Sequence, residues 1–272
     1  MNRAKTSITH LFFSFWRNRS LVLQMAKREI VGRYRGSFLG MLWSFVNPVL
    51  MLAVYTFVFS IVFQARWGDA GGDRFEFALV LFAGLIVFNL FSECVTRAPG
   101  LILANVNYVK KVIFPLEILP WVSLCSALFH AAVNLVVLLI SLVAVGHGVP
   151  ATLLLLPIVV LPLLFLTVGA SWLLASIGVF VRDVGQFVGM LMTVLMFMSP
   201  IFYPLSALPE SVRGWLFLNP LTFIIEQARD VIIWGKLPDW GGLALYTLFA
   251  MVVAWAGLVW FQKTRKGFAD VL

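Results

Sequence analysis

Residues 118–181 read ILPWVSLCSALFHAAVNLVVLLISLVAVGHGVPATLLLLPIVVLPLLFLTVGASWLLASIGVFV, 64 consecutive residues without Asp, Glu, Lys or Arg. A bilayer core about 30 Å thick is crossed by roughly 20 helical residues rising about 1.5 Å each. The run is too long for one crossing. It breaks at Gly146-His147-Gly148-Val149-Pro150, a turn signal. Two spans result, at 116–145 and 151–180. The apolar residues are continuous rather than alternating, so helices are expected and not a barrel.

The same reading extends outward. Gly36 to Ala65 is uncharged for 30 residues, Phe77 to Ser92 for 16, Val184 to Pro209 for 26 and Trp240 to Gln262 for 23. The expectation is an all-α membrane protein of six spans, near 39–64, 76–96, 116–145, 151–180, 184–203 and 241–262. Composition agrees: 61% of the 272 residues are hydrophobic and 12% charged. A soluble domain carries about twice that share of charge, so an ordinary globule, a disordered tail and a nucleic-acid-binding domain are excluded. Cys94 and Cys125 lie in apolar surroundings and read as buried small hydrophobes. One membrane domain covers 1–272, and the short apolar patch Leu11 to Trp16 does not read as a cleavable signal.

Basic residues orient the chain. With the N-terminus inside, cytoplasmic segments hold 15 of the 20 Lys and Arg, and the other side keeps Arg66, Arg74, Arg213, Arg229 and Lys236. Both termini are therefore expected in the cytoplasm, and the net charge of +8 is mostly a topology signal.

Three segments are not spans. In 20–38, Leu23, Ala26, Ile30, Tyr34 and Phe38 recur at three- and four-residue intervals, with Lys27, Arg28 and Arg35 off the stripe. This predicts a basic amphipathic helix, either a surface anchor or a docking face for a cytoplasmic partner. Residues 97–117 exceed what a bare connection needs, and Pro99 and Pro115 bracket a short basic segment running through Asn105, Asn107, Tyr108, Lys110 and Lys111. A small helix inserted into a partner's groove would look like this, and so would a second interfacial anchor. Residues 204–239 are too interrupted to span; Glu226, Arg229 and Asp230 share one helical face after the break Asn219-Pro220. A surface helix with a local ion pair and a lid dipping into a pore mouth are the two readings.

Chemistry is sparse. No G-x-x-x-x-G-K-[ST] phosphate loop occurs, so this chain is not expected to hydrolyse ATP through one. No zinc-protease, paired-cysteine or serine-hydrolase motif is present, and neither a metal nor any other cofactor is expected in the chain. His130 reads as a hydrogen-bonded core residue. Glu93, Glu117, Arg182 and Asp183 sit near the expected span ends. A charge at mid-bilayer costs at least roughly 2.5–3.5 kcal/mol, and ion-coupled carriers keep such groups because they use them. Their scarcity argues against a secondary flippase, an ion pump or an intramembrane enzyme, and for a conduit powered from elsewhere. Aromatics are abundant, with 25 Phe, 10 Trp and 5 Tyr. Most pack or face lipid, but aromatic faces also stack on the C–H faces of sugar rings and let a chain slide.

Particular segments carry a resemblance: Arg33-Tyr34-Arg35-Gly36-Ser37-Phe38-Leu39-Gly40 with Leu42-Trp43 and Asn47-Pro48, then NYVKKVIFPLEILP at 107–120. Arg182-Asp183, Ser199 through Pro204, Asn219-Pro220-Leu221-Thr222 with Arg229, and the tail Phe268 to Leu272 follow in order. Together they resemble the membrane subunits of ATP-binding-cassette exporters of bacterial surface polysaccharides, the O-antigen branch of the type-two permeases. The resemblance implies a homodimer in the inner membrane, working with two copies of a cytoplasmic ATPase that holds the ATP and Mg. It implies an interface helix at 20–38, a coupling helix around Asn105, Asn107, Tyr108, Lys110 and Lys111, and periplasmic gate helices in 204–239 with Glu226, Arg229 and Asp230. The pore would run between protomers, lined by aromatics of the first and fifth spans, with Tyr55, Phe59, Phe197 and Phe202 as candidates. Lys27, Arg28, Arg33 and Arg35 are candidate attractors for the pyrophosphate of a lipid-linked glycan. Rival readings are export of capsule, teichoic acid or a small hydrophobic compound by the same machinery.

Overall fold

A computed structural model describes residues 15–64, 67, 74–110, 114–216 and 218–272, and every regular element among them is helical. A first helix, α1, runs Arg19–Tyr34. Five helices are long and apolar enough to cross a membrane: α2 (Gly40–Val62), α3 (Phe75–Leu101), α5 (Leu116–Ala144), α6 (Ala151–Phe180) and α10 (Trp240–Val271). Between them lie α4 (Val106–Val109), α7 (Val184–Phe197), α8 (Glu210–Leu216) and α9 (Pro220–Arg229). The chain is a multi-pass membrane protein.

The helix starts and stops follow local chemistry. Pro120 and Pro157 stand where short 3-10 turns, Leu116–Ile118 and Ala151–Leu155, give way to the α-helical parts of α5 and α6, in the first α-helical turn, where proline is favoured. The Asn219 carboxamide oxygen accepts from the Leu221 N–H ahead of Pro220, and Asp239 accepts from the Gly242 N–H. Both are N-caps that satisfy otherwise orphaned donors.

The centre of the bundle is α3. Within its most apolar stretch 83% of residues are buried in the protein, against 11% for α2. Helices α5, α6, α7 and α9 all pack on α3, and α10 packs along α6. Small residues set that last contact: a Cβ on Gly257 would meet the Gly169 carbonyl oxygen at 2.2 Å, and one on Gly169 would meet the Ala254 Cα at 2.6 Å. Small residues let apolar helices approach closely where lipid removes any hydrophobic drive between them.

Two expected elements differ. The fifth span was expected over 184–203, but α7 stops at Phe197 and Met198 to Tyr203 turn. Pro200 lacks an N–H and disfavours helical geometry at Ser199. The Ser199 hydroxyl instead donates to the Leu195 carbonyl. At 14 residues α7 is about 21 Å long, short of the hydrocarbon thickness. The first helix was expected over 20–38; it ends at Tyr34, and Gly36 turns the chain with φ +85°. Its buried face is Val22 and Ala26, packed on Ile118 and Val122. Leu23, assigned to the apolar stripe, points outward, and Phe38 is wholly exposed. The two faces share Ala26, with Ile30 and Tyr34 half-buried, and differ in that Val22 rather than Leu23 turns inward, within the play of a 3.6-residue period.

Replacing Gly257 with Val should lower stability by at least about 2 kcal/mol through overpacking, whereas Leu245→Val on the exposed face should be near neutral; thermal unfolding of the detergent-purified chain distinguishes them.

Candidate functional site

Within 204–239, α9 does not float on the surface, although many residues before and after it are exposed. Along α9, Leu221, Thr222, Ile224, Ile225, Ala228 and Arg229 are buried, and the helix lies against α3 and α6. Arg229 is the anchor, with 1% of its side chain exposed. Its Nε donates to the Val80 carbonyl on α3 at 3.0 Å, and Nη2 donates to the Ile201 carbonyl at 3.1 Å. Nη1 donates to the Pro200 carbonyl and, at 2.9 Å, to Glu226. The Trp67 ring lies 4.5 Å from the guanidinium carbon. Gly84 leaves the space: a Cβ there would stand 2.6 Å from Nη2. A planar five-donor fork is the group that can hold three carbonyls and a carboxylate at once. Burial lowers the Arg229 pKa to about 10, opposed by Glu226, so it stays charged at neutral pH. Burial raises the Glu226 carboxyl, against the pull of Arg229, and also raises Asp230, which faces Lys236 at 3.9 Å. The Thr152 hydroxyl, at the start of α6, donates to the Val231 carbonyl and ties the end of this segment down.

Beside this anchor three of the four expected pore aromatics gather. Phe202 stacks on Phe59 at 6.1 Å and on Phe197 at 5.6 Å, and Phe59 also meets Phe63 and Phe77. Trp67 joins through Phe77, so the cluster runs from α2 to Arg229. Tyr55 lies one turn away from Phe59, half-buried against the core. Phe63 and Phe197 are the open members, 67% and 60% exposed.

The other end of α3 carries charge. Glu93 pairs with Arg33 of α1 at 2.5 Å and with His130 of α5 at 3.2 Å. Arg97 pairs with Glu29 of α1 at 2.6 Å and lies 3.6 Å from Glu93. Arg33 is thus engaged, while Lys27, Arg28 and Arg35 lie exposed. Arg33, Glu93, Arg97 and His130 border a cavity of about 490 Å³ that also takes in Asn47, Asn89, Ser92, Thr96 and Asn134. Among the described residues no three His, Cys, Asp or Glu side chains gather as a metal site.

Next to this end sits the segment after α3. Leu103–Asn105 and α4 form two short turns, with Asn107 and Lys110 exposed. The Asn105 amide donates back to the Leu101 carbonyl. Tyr108 accepts from Arg28 at 3.1 Å and stacks on Phe114 at 4.3 Å, which joins α1 to the segment. Lys111 lies outside the described residues. The C-terminal end closes over the same region: Arg265 donates to Glu117 and to the Phe114 carbonyl, and Trp172 donates to the Glu117 carbonyl.

Sequence reasoning placed Glu93 at a span end and counted only full charges. In the structure α3 continues to Leu101, and Glu93 lies two turns inside it. The missed signal was legible: Asn89, Ser92, Glu93, Thr96 and Arg97 fall at i, i+3, i+4, i+7 and i+8, one polar stripe on an apolar helix.

Several apolar crossings around a buried helix, sealed at one end by a fork of hydrogen bonds and bordered by polar groups at the other, define a membrane translocator subunit. The chain belongs to the ABC-2 type transporter family, whose pattern matches residues 20–233. It is 32% identical over 254 residues to the O-antigen export system permease protein RfbA of Myxococcus xanthus, covering 93% of this chain and 95% of that one. It is 24% identical to the protein of the same name from Klebsiella pneumoniae, over 93% of this chain and 95% of that one. To the polysialic acid transport protein KpsM of Escherichia coli it is 26% identical, over 88% of this chain and 91% of that protein.

Arg229→Ala should destabilise the chain by about 3–5 kcal/mol, because it strands the Glu226 carboxylate and three carbonyls. Arg229→Lys should recover less than half of that loss, since a single ammonium cannot reproduce the fork. Equal stability of Lys and Arg variants in thermal unfolding would remove the anchoring role.

Proposed function

We propose that this chain is the permease half of an ATP-driven exporter that moves a lipid-linked polysaccharide of O-antigen type from cytoplasm to periplasm. The observation that carries the reading is the near-full-length likeness to an O-antigen export permease. Two copies form the channel between them, with six spans each, α7 and the turn after it acting as the fifth. The exposed faces of α2 and α7 give this dimer its surface, with Phe45, Val49 and Phe57 on the first and Phe187, Met190 and Val194 on the second. Both termini lie in the cytoplasm, as the distribution of basic residues favours.

The mechanism follows from the arrangement. A separate ATPase, present as two copies with ATP and Mg, presses on the segment at Asn105, Asn107, Tyr108, Lys110 and Lys111. The Arg28–Tyr108 hydrogen bond passes that push to α1, and the Arg33–Glu93 and Arg97–Glu29 pairs pass it to α3. At the periplasmic end α3 bears on α9 through Arg229, so Glu226, Arg229 and Asp230 belong to the gate. The glycan then slides past Phe59, Phe197 and Phe202, with Tyr55 one turn further along the path. Lys27, Arg28 and Arg35 attract the lipid pyrophosphate; Arg33 joins them when Glu93 lets it go. Capsule export is the second reading, favoured by the 26% likeness to the polysialic acid transport protein.

Lys110→Glu together with Lys111→Glu should reduce surface glycan at least tenfold while the chain still reaches the membrane, as should deletion of the partner ATPase. Unchanged surface glycan would sink the coupling assignment. Phe59→Ala should change glycan output without changing resistance to hydrophobic drugs; the reverse pattern would favour a small-molecule exporter.

A further inference from the structure

The cavity at the charged end of α3 holds more hydrogen-bonding capacity than the protein uses. Asn47 comes from α2, Asn89 from α3 and Asn134 from α5, so three helices each deliver one carboxamide to a single space of about 490 Å³. Among the described residues none of the three carboxamides is hydrogen-bonded to another side chain or to backbone. Ser92 and Thr96 add hydroxyls one turn apart on α3, and Trp43 adds an aromatic face. Asn89 is exposed although its neighbours Phe88 and Leu90 are buried, which marks the point where the most enclosed helix of the bundle opens to solvent. Uncommitted amides within a span are expensive against lipid, so this stripe faces water or a polar ligand.

Charge narrows the ligand. Arg33 and Arg97 border the cavity, but Glu93 and Glu29 already neutralise them, and these four side chains sum to zero. An anion would have to displace a carboxylate to bind there. What stands free is neutral: paired donors and acceptors on planar amides, hydroxyls and one large ring. That set matches the vicinal hydroxyls and the C–H face of a neutral sugar. The volume falls within the roughly 300–1,000 Å³ usual for small-ligand sites.

We infer that this cavity is a glycosyl subsite: it holds a neutral sugar ring of the transported glycan through Asn47, Asn89 and Asn134, with Trp43 against the ring face. The inference rests on the export reading above and assigns the ring, not the pyrophosphate, to this place. Holding a sugar here puts it beside Glu93 and His130, next to the ion pairs that join α1 to α3. Occupancy of the path is thereby set next to the contact that the ATPase push must cross.

A photoreactive benzoyl-phenylalanine at Thr96 of the full chain, expressed with its partner ATPase in glycan-producing cells, tests this directly. Adducts are detected by periodate staining for vicinal diols, before and after mild acid cuts sugar from lipid diphosphate. The expected result is a sugar-bearing adduct that survives the acid, falling about tenfold when Asn89→Ala and Asn134→Ala are combined and unchanged with Leu154→Ala. The residual adduct is compared per membrane-inserted chain, and Asn134→Gln alone, which keeps the amide, is the check against misfolding. An adduct that keeps only lipid and phosphate after acid would overturn the inference, as would sugar adducts indifferent to both Asn variants. A sugar adduct from the same probe at Phe202 but none from Thr96 would overturn this subsite and leave the export reading standing. No glycan adduct at either position, with surface glycan unchanged when the chain is deleted, would remove both.

Discussion

A helix that lipid cannot reach must have every polar group answered by protein, water or ligand, and α3 is that helix. Its burial organises the molecule. At one end its Val80 carbonyl accepts from Arg229, which simultaneously holds the turn at Pro200 and Ile201. At the other its Glu93 and Arg97 meet Arg33 and Glu29 of α1. Seventeen residues separate Val80 from Arg97, about 25 Å of rigid helix. A displacement of α1 therefore has a direct mechanical route to α9, without any flexible element between them.

The two ends differ in kind. The Arg229 anchor is buried, and its donors are taken by three carbonyls and the Glu226 carboxylate; removing it leaves buried acceptors unpaired. The Arg33–Glu93–Arg97–Glu29 cluster is partly open, and each pair has a second partner within reach, as Glu93 lies near both arginines and His130. Half-open ion pairs are individually weak and screened. One end of α3 is thus fixed and the other can exchange partners.

Much of this was legible in the residues. Uncharged runs located all five long helices, because the hydrocarbon thickness imposes a minimum length whatever the neighbours are. The helix start at Asn219-Pro220 was legible from its cap and proline, and Phe59, Phe197 and Phe202 did come together. The failures were those of local pattern meeting tertiary contact. Leu23 and Val22 are equally apolar, and only the position of Ile118 and Val122 decides which one is buried. The stop at Phe197 turns on Pro200, a backbone constraint that an uncharged run does not register.

The sequence by itself determined what a single crossing can determine: helical class and the places of the five long apolar helices, since each depends on length and polarity within one segment. Tertiary structure alone decided that Arg229 is an anchor and not a surface charge, that Arg33 is already paired, and that Asn47, Asn89 and Asn134 share one cavity. Those facts depend on side chains from helices 40 to 150 residues apart meeting in space, as Arg229 meets Val80 and Arg33 meets His130, and no one-dimensional pattern records which faces turn toward each other.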